Sequence, residues 1–262
     1  MSIGGDMAAS RLRCRGVADV GYISSLTFLA VIGLPAWCCA DDDILRRTQA
    51  LYLRATPISM RFSDGSSSWK SSDVDVRSVP GEYVVIRTSS LELDTDGASK
   101  ERRGCDGDSQ PDTSMHDSGG KAIDADYTPY IVIPGCVRPG FFDSMFHRGR
   151  YEKCLASPPY EQIGIKLGDL ALAVHGSLTA PAIAAEMGPE RKIGEASIAL
   201  HRALGHETVG SNPGNPQCAG NVGLEGETYL FVELGSSTGE FQSPQEKAGV
   251  LEQWWRQLKV DR

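Results

Sequence analysis

The sequence predicts a mostly β fold with a few helices. Its 262 residues include 29 glycines and are 40% apolar, a composition typical of a loop-rich globular chain with substantial β structure. Short β-branched and aromatic runs recur between Gly-, Pro- and Asp-rich stretches, whereas helical apolar spacing is confined to a few segments. The length allows one large domain or two small ones.

The first forty residues differ from the rest and indicate an export signal. Basic residues come first, the apolar stretch 23–40 follows, and an acidic run begins at Asp41. This order predicts a signal peptide over 1–40, cleaved after Ala40, and a secreted or periplasmic protein without stable membrane insertion. The alternatives are a retained anchor or lipid attachment at Cys38. Helix breakers interrupt the apolar run, which is at the short limit for a span, and bulky Trp37 precedes the cysteine.

In the N-terminal half, residues 41–60 are predicted to form a short helix or strand that ends at the turn of Pro57. Residues 63–73 are polar and read as a loop. A β-branched run after Pro80-Gly81 predicts a strand at 83–88. Residues 94–121 are rich in Gly, Asp and Ser and predict a long loop.

The C-terminal half alternates short strands with loops. A buried strand is predicted at 130–134, one or two strands at 163–174 and a strand at 180–185. Helical spacing predicts a helix at 196–204, and Trp254 and Trp255 belong to the apolar face of another at 245–258. Residues 139–159 and 205–223 are predicted loops, and 228–234 is a predicted strand.

Cysteine and histidine spacing give no metal pattern. Four cysteines follow the predicted cleavage point, and an even count in an exported chain predicts disulfides with three possible connectivities: Cys105, Cys136, Cys154 and Cys218. Because there is no C-x-x-C and the five histidines are scattered, we expect no metal and no cofactor.

The formal net charge of −8 disfavours nucleic acid as a partner and is compatible with a cationic substrate. We expect a monomer.

Two carboxylates nine residues apart are the most informative feature. Glu186 ends an apolar strand-like run before the turn Gly188-Pro189, and Glu195 lies where the helix 196–204 is predicted to begin. Two positioned carboxylates are what glycosidic hydrolysis needs, since one protonates the leaving oxygen and the other activates water. The alternative is structural: a solvent-facing glutamate at a strand end, and an acid that interacts with a helix dipole.

Four stretches and a final strand resemble, in order, the endo-chitosanases of glycoside hydrolase family 75. The stretches are Asp94-Thr-Asp96-Gly-Ala, Asp112-Thr-Ser-Met, the run from Asp126 through Pro129-Tyr130, and the segment from Leu167-Gly-Asp-Leu to Gly194-Glu195-Ala-Ser-Ile. The strand is Tyr229-Leu-Phe-Val, and the resemblance covers roughly residues 83–235.

The resemblance implies an inverting glycosidase that acts on chitosan or a related amino-glycan. Glu186 and Glu195 would be catalytic. We assign Glu186 as the acid and Glu195 as the base, an order that the sequence does not fix. Asp94, Asp96, Asp126 and Ser197 would bind substrate. The family has an aspartate where this chain has Glu186, so the carboxylate is about one methylene farther from the backbone, and a shift of about 1 Å can cost ~10²-fold in rate.

The segment Gly188-Pro189 to Gly205 is also similar, more distantly, to the double-psi β-barrel signature. This similarity implies a double-psi-like β-barrel core with a helix packed on it after the catalytic loop. The expected division is a signal peptide at 1–40, an N-terminal segment at 41–82, a catalytic domain at 83–236 and a C-terminal helix at 237–262. Other hypotheses for function are a peptidoglycan-cleaving glycosidase or lytic transglycosylase, and an inactive carbohydrate-binding relative.

Overall fold

The computed structural model describes residues 38–60, 74–103, 109–136, 151–206 and 223–260. The strands in these ranges are β1 (Thr56–Pro57), β2 (Val74–Val79), β3 (Tyr83–Asp94), β4 (Tyr130–Pro134), β5 (Leu170–His175), β6 (Leu178–Gly188), β7 (Glu195–Ser197) and β8 (Leu224–Glu233). The helices are α1 (Cys38–Arg54), α2 (Lys100–Arg103), α3 (Pro159–Gln162), α4 (Ile198–Ala203) and α5 (Ala248–Gln257), and residues 151–156 are also helical.

Six strands close into a barrel in the order β3–β7–β4–β6–β5–β8, and β8 pairs with β3 to complete it. The pairs β3–β7 and β4–β6 are parallel, and the other barrel pairs are antiparallel. β2 pairs with the first half of β3, and β1 extends that edge. The mostly β fold with a few helices and a barrel core is therefore confirmed.

Small and branched side chains fill the barrel. Alanines on β5, β6 and β7 face larger residues of β3, β4 and β8 in one buried cluster, which fills the barrel interior with side chains. Outside the barrel, α1 and α5 cover one face, where Leu51 and Trp255 pack with Tyr83, Leu172 and Phe231. The C-terminal helix predicted at 245–258 is present as α5, and Trp255 belongs to the core as expected.

The N-terminal segment is part of the same compact unit as the barrel. Ala36–Arg262 form one compact unit, which contains the described residues of both 41–82 and 83–236. The pairing of β2 with β3 explains why, since β2 extends the barrel sheet. The segment 41–60 begins as helix α1, which is tied to the barrel where the Tyr83 hydroxyl donates to the carbonyl of Leu51 at 2.7 Å.

The prediction that Glu195 begins a helix is wrong. Glu195 lies in β7, where it pairs with Glu92, and α4 starts only at Ile198. The strand persists to Ser197 because Ala196 pairs with Ile131 of β4, and the Ser197 hydroxyl then accepts the Leu200 N–H as the helix cap.

The predicted signal peptide lies almost entirely outside the described residues, and its cleavage point falls in the first turn of α1. Within the described ranges, none of the helices combines the length and the apolar character that crossing a bilayer requires.

Candidate active site

A register shift on β6 aims Glu186 at the outer face of the barrel. Ile131 pairs with Ala184 but the next residue, Val132, pairs with Glu186, so Ala185 is an extra residue in β6. A bulge of this kind re-aims a side chain. Ala184 faces the barrel interior, whereas Glu186 shares the outer face with Val132.

Glu195 reaches the same face from the other side of β4. Ala196 pairs antiparallel with Ile131, so Glu195 lies opposite Val132. Val132 therefore separates the two glutamates, which stand on strands β6 and β7. Adjacent strands are about 4.8 Å apart, so the two backbones are roughly 10 Å apart.

Gly188 leaves room for the carboxylate of Glu195. A Cβ at Gly188 would lie 2.9 Å from Cγ1 of Val132 and 3.4 Å from Oε2 of Glu195. The first distance is too short for a real contact, so a side chain here would displace Val132 and crowd the carboxylate. The Gly-Pro turn thus has a steric role in the site as well as ending the strand.

Asp94 and Asp96 form a tight turn at the end of β3. The Asp96 N–H donates to Oδ1 of Asp94 at 2.9 Å, and the Gln110 N–H donates to Oδ1 of Asp96 at 2.5 Å. Gly97 has a φ of 72°, and a Cβ there would lie 2.1 Å from the carbonyl oxygen of Ile123. Glycine is therefore required at this position.

These carboxyl groups interact electrostatically. Asp94 is almost completely buried, and desolvation, followed by the charges of Asp96, Glu195 and Glu186, holds its pKa well above the ordinary value. Beneath it, the fully buried Tyr130 donates to the carbonyl of Asp96 at 3.0 Å. Both predicted catalytic acids therefore lie close enough to Asp94 to affect its ionisation.

Glu186 is buried and held by three donors. The Ser114 N–H donates to Oε2 at 2.6 Å, while the Ser114 hydroxyl and the Met187 N–H donate to Oε1 at 2.7 and 2.9 Å. Burial raises the pKa of Glu186, and these hydrogen bonds oppose the shift without cancelling it.

Glu195 has a cationic partner. The ammonium of Lys192, three residues earlier, forms an ion pair with Oε1 of Glu195. The charge and hydrogen bond of Glu195 raise the pKa of Lys192 despite the opposing effect of burial.

Two predicted substrate-binding residues have other roles. Ser197 is fully buried: its hydroxyl donates to the carbonyl of Thr128 and accepts from the Tyr130 N–H, besides capping α4. These bonds give Ser197 a structural role, and its contact with a substrate stays a prediction. Asp126 forms ion pairs with Arg102 and Arg202 at 3.5 and 3.9 Å, so its carboxylate is already engaged by cations.

Ser114 and Lys192 were not identified as site residues from the sequence. Ser114 lies in the Asp112-Thr-Ser-Met stretch, about seventy positions from its partner, so only the fold brings the two together. Lys192 could have been identified, because it precedes Glu195 by three residues in a turn that places both on one side.

In the described ranges, no three His, Cys, Asp or Glu side chains are grouped so as to hold a metal ion. No protein-family model matches the chain, and no curated protein matches it.

Proposed function

We propose that this protein is a glycoside hydrolase that cleaves β-1,4 bonds of a glucosamine-containing polysaccharide by an inverting two-carboxylate mechanism. The observation that carries the proposal is the pairing of Glu186 and Glu195 across Val132 on one face of the barrel. A backbone separation of roughly 10 Å is compatible with the ~6.5–9.5 Å between carboxyl groups that admits a water molecule on the far side of the sugar.

The environments of the two glutamates favour Glu186 as acid and Glu195 as base. Burial raises the pKa of Glu186, as a proton donor requires. Glu195 pairs with the Lys192 ammonium, and a group that deprotonates water acts as a carboxylate, so we assign it as the base. Two carboxyls in different environments divide acid and base roles in this way in other glycosidases.

The charge of the site favours a cationic substrate. Asp94 interacts electrostatically with Asp96, Glu186 and Glu195, and the Lys192 ammonium pairs with Glu195. A protonated amine of glucosamine would be attracted by this excess of carboxyl groups, and its approach would favour ionisation of Asp94. Asp94 and Asp96 are accordingly proposed to contact the substrate.

The test is an assay of the mature protein on chitosan, chitin, cellulose and peptidoglycan, with product anomers followed by NMR. We expect hydrolysis of chitosan with inversion. Glu195→Gln and Glu186→Gln should each lower kcat by about 10²–10⁴-fold, whereas Glu246→Gln, an exposed control before α5, should retain full activity.

Other outcomes would point to the other hypotheses. Cleavage of peptidoglycan that survives Glu195→Gln would indicate a lytic enzyme with a single acid. Binding to an amino-glycan without turnover would indicate an inactive relative.

A further inference from the structure

The loop before β4 holds Glu186 through one residue, Ser114. Its backbone N–H binds one carboxyl oxygen of Glu186 and its hydroxyl binds the other. The Ser114 hydroxyl also accepts the Met187 N–H at 3.1 Å. The loop is fixed at this point, because the Met115 N–H donates to the carbonyl of Ala185 at 3.0 Å, one residue before Glu186.

Neighbouring contacts make the position of Ser114 rigid. The Thr113 hydroxyl donates to the carbonyl of Met115 at 2.7 Å and accepts the Ile123 N–H at 2.8 Å. Thr113 is buried, so these bonds are protected from water. The Ser114 hydroxyl is therefore presented to Glu186 by a loop whose own hydrogen bonds set its place.

Among the three donors to Glu186, the Ser114 hydroxyl alone can also accept a hydrogen bond from the protonated carboxyl group. The backbone N–H groups of Ser114 and Met187 can only donate, and they bind the charged carboxylate more strongly than the neutral acid. A serine hydroxyl both donates and accepts. When Oε1 of Glu186 carries a proton, the Ser114 hydroxyl can rotate and accept a hydrogen bond from that O–H group. When the proton has left, the Ser114 hydroxyl can again donate a hydrogen bond to Oε1.

We propose that Ser114 is a positioning residue that keeps the Glu186 carboxyl in place through its protonation cycle and sets its proton affinity. The inference rests on the proposed function for its kinetic part only. It also gives a reason why a glutamate can serve as the acid where the family that this sequence resembles has an aspartate. The Ser114 hydroxyl, which is itself fixed, restrains the longer side chain of Glu186.

Other ionisable groups face Glu186 and have to be held constant in a test. Asp94 on β3, Asp96 in the turn after it and Tyr130 on β4 interact with Glu186 electrostatically. Glu195 on β7, with its partner Lys192, lies across Val132 from Glu186. Replacing Ser114 changes none of these charges, so a change in the titration of Glu186 would report the lost hydrogen bond.

The experiment compares the full-length mature protein with Ser114→Ala, Ser114→Thr and the control Ser243→Ala. Ser243 lies outside the carboxyl cluster, and its hydroxyl donates to Gln245 at 3.3 Å. The ionisation of Glu186 is followed by NMR with ¹³C-labelled glutamate carboxyls, assigned by the signal missing in Glu186→Gln. The pH dependence of kcat on chitosan is measured in parallel.

In Ser114→Ala the carboxylate loses a donor, so Glu186 should titrate at higher pH and the alkaline limb of the kcat profile should move the same way. We expect kcat to fall by about tenfold or more, up to ~10²-fold, with a smaller change in KM. Ser114→Thr should restore the titration and most of the rate, and Ser243→Ala should match the parent.

Unchanged titration of Glu186 in Ser114→Ala would overturn the proposal, as would a fall in rate without movement of the alkaline limb. If the parent hydrolyses no glycan but the titration still shifts in Ser114→Ala, the proposed function fails and the link between Ser114 and Glu186 holds. If Ser114→Ala does not fold, Ser114→Cys, with its weaker donor, takes its place in the same titration.

Discussion

At the scale of single residues, the buried carboxyl group of Asp94 in the candidate site lowers the stability of the folded protein. Asp94 is buried beside three other acidic groups, and its pKa is raised well above normal, chiefly by desolvation. A carboxyl whose pKa is raised on folding favours the folded state fully only below its unfolded pKa, about 4. This stabilising contribution is lost as the pH rises through the folded pKa. At neutral pH the buried Asp94 therefore lowers the free energy of unfolding.

Asp94→Asn should therefore stabilise the protein at pH 7. The amide is neutral at every pH, and its oxygen can still accept the Asp96 N–H. We expect a gain on the order of 1 kcal/mol, or roughly 2–4 °C in Tm, that shrinks as the pH falls toward 4.

Thermal unfolding measured between pH 4 and 8 tests this, with Glu246→Gln as a control for removal of an exposed carboxylate. If Asp94 contacts the substrate, the same variant should bind chitosan less tightly. Equal stability gains at pH 4 and pH 7 would show that ionisation of Asp94 is not the cause.

At the scale of elements, pattern alone predicted the strands β4, β6 and β8 and the helix α5, because each carries an uninterrupted apolar period. β2 was not predicted, although the alternation of Asp75 and Arg77 with its valines is a strand pattern. The segment is short, and it is held as a strand by pairing with β3. The bulge at Ala185 could not be predicted from the sequence either. It depends on the register between β6 and β4, which no local sequence pattern determines. It decides that Glu186 faces outward, so the site could be predicted by residue type but not by orientation.

The contact between the first and last helices gives a prediction at the same scale. Arg47 of α1 donates to the carbonyls of Trp255 and Leu258, at 2.6 and 2.7 Å, where α5 ends. A cation at a helix C-terminus satisfies carbonyls that lack helical partners and interacts favourably with the dipole. This contact links elements about two hundred residues apart.

Arg47→Met keeps much of the apolar stem but removes these bonds, so we expect a loss of about 1.5–3 kcal/mol in the free energy of unfolding. Arg46→Met is the matched control. Arg46 is exposed and donates only locally, to the Asp42 carbonyl, among the bonds described, so its replacement should change stability by less than about 0.5 kcal/mol. Urea denaturation of both variants provides the comparison, and equal midpoints would contradict a stabilising contact.

At the scale of the whole molecule, a disulfide between Cys136 and Cys154 connects the end of β4 with the segment before α3. The sequence predicted disulfides and left three connectivities open. Cys105 and Cys218 lie outside the described residues, so only the Cys136–Cys154 bond is established here. The N–H of Gly135, the residue before Cys136, donates to the carbonyl of Gly188. The disulfide therefore lies next to the turn that leaves room for the Glu195 carboxylate.

The protein lacking both cysteines, Cys136→Ser/Cys154→Ser, should be less stable by about 3 kcal/mol, because a sequence separation of 18 closes a loop of moderate length in the unfolded chain. Non-reducing peptide mapping should recover Cys136 and Cys154 in one linked pair. If the parent has the proposed hydrolase activity, the double variant should lose it at a lower temperature, because β4 and the Gly188 turn border the candidate site. Glu246→Gln, at an exposed position away from the disulfide, is the control for the preparation of a variant protein. Recovery of both cysteines as free thiols from the protein isolated from its native source would contradict the bond, and with it the expectation that this chain matures in an oxidising compartment.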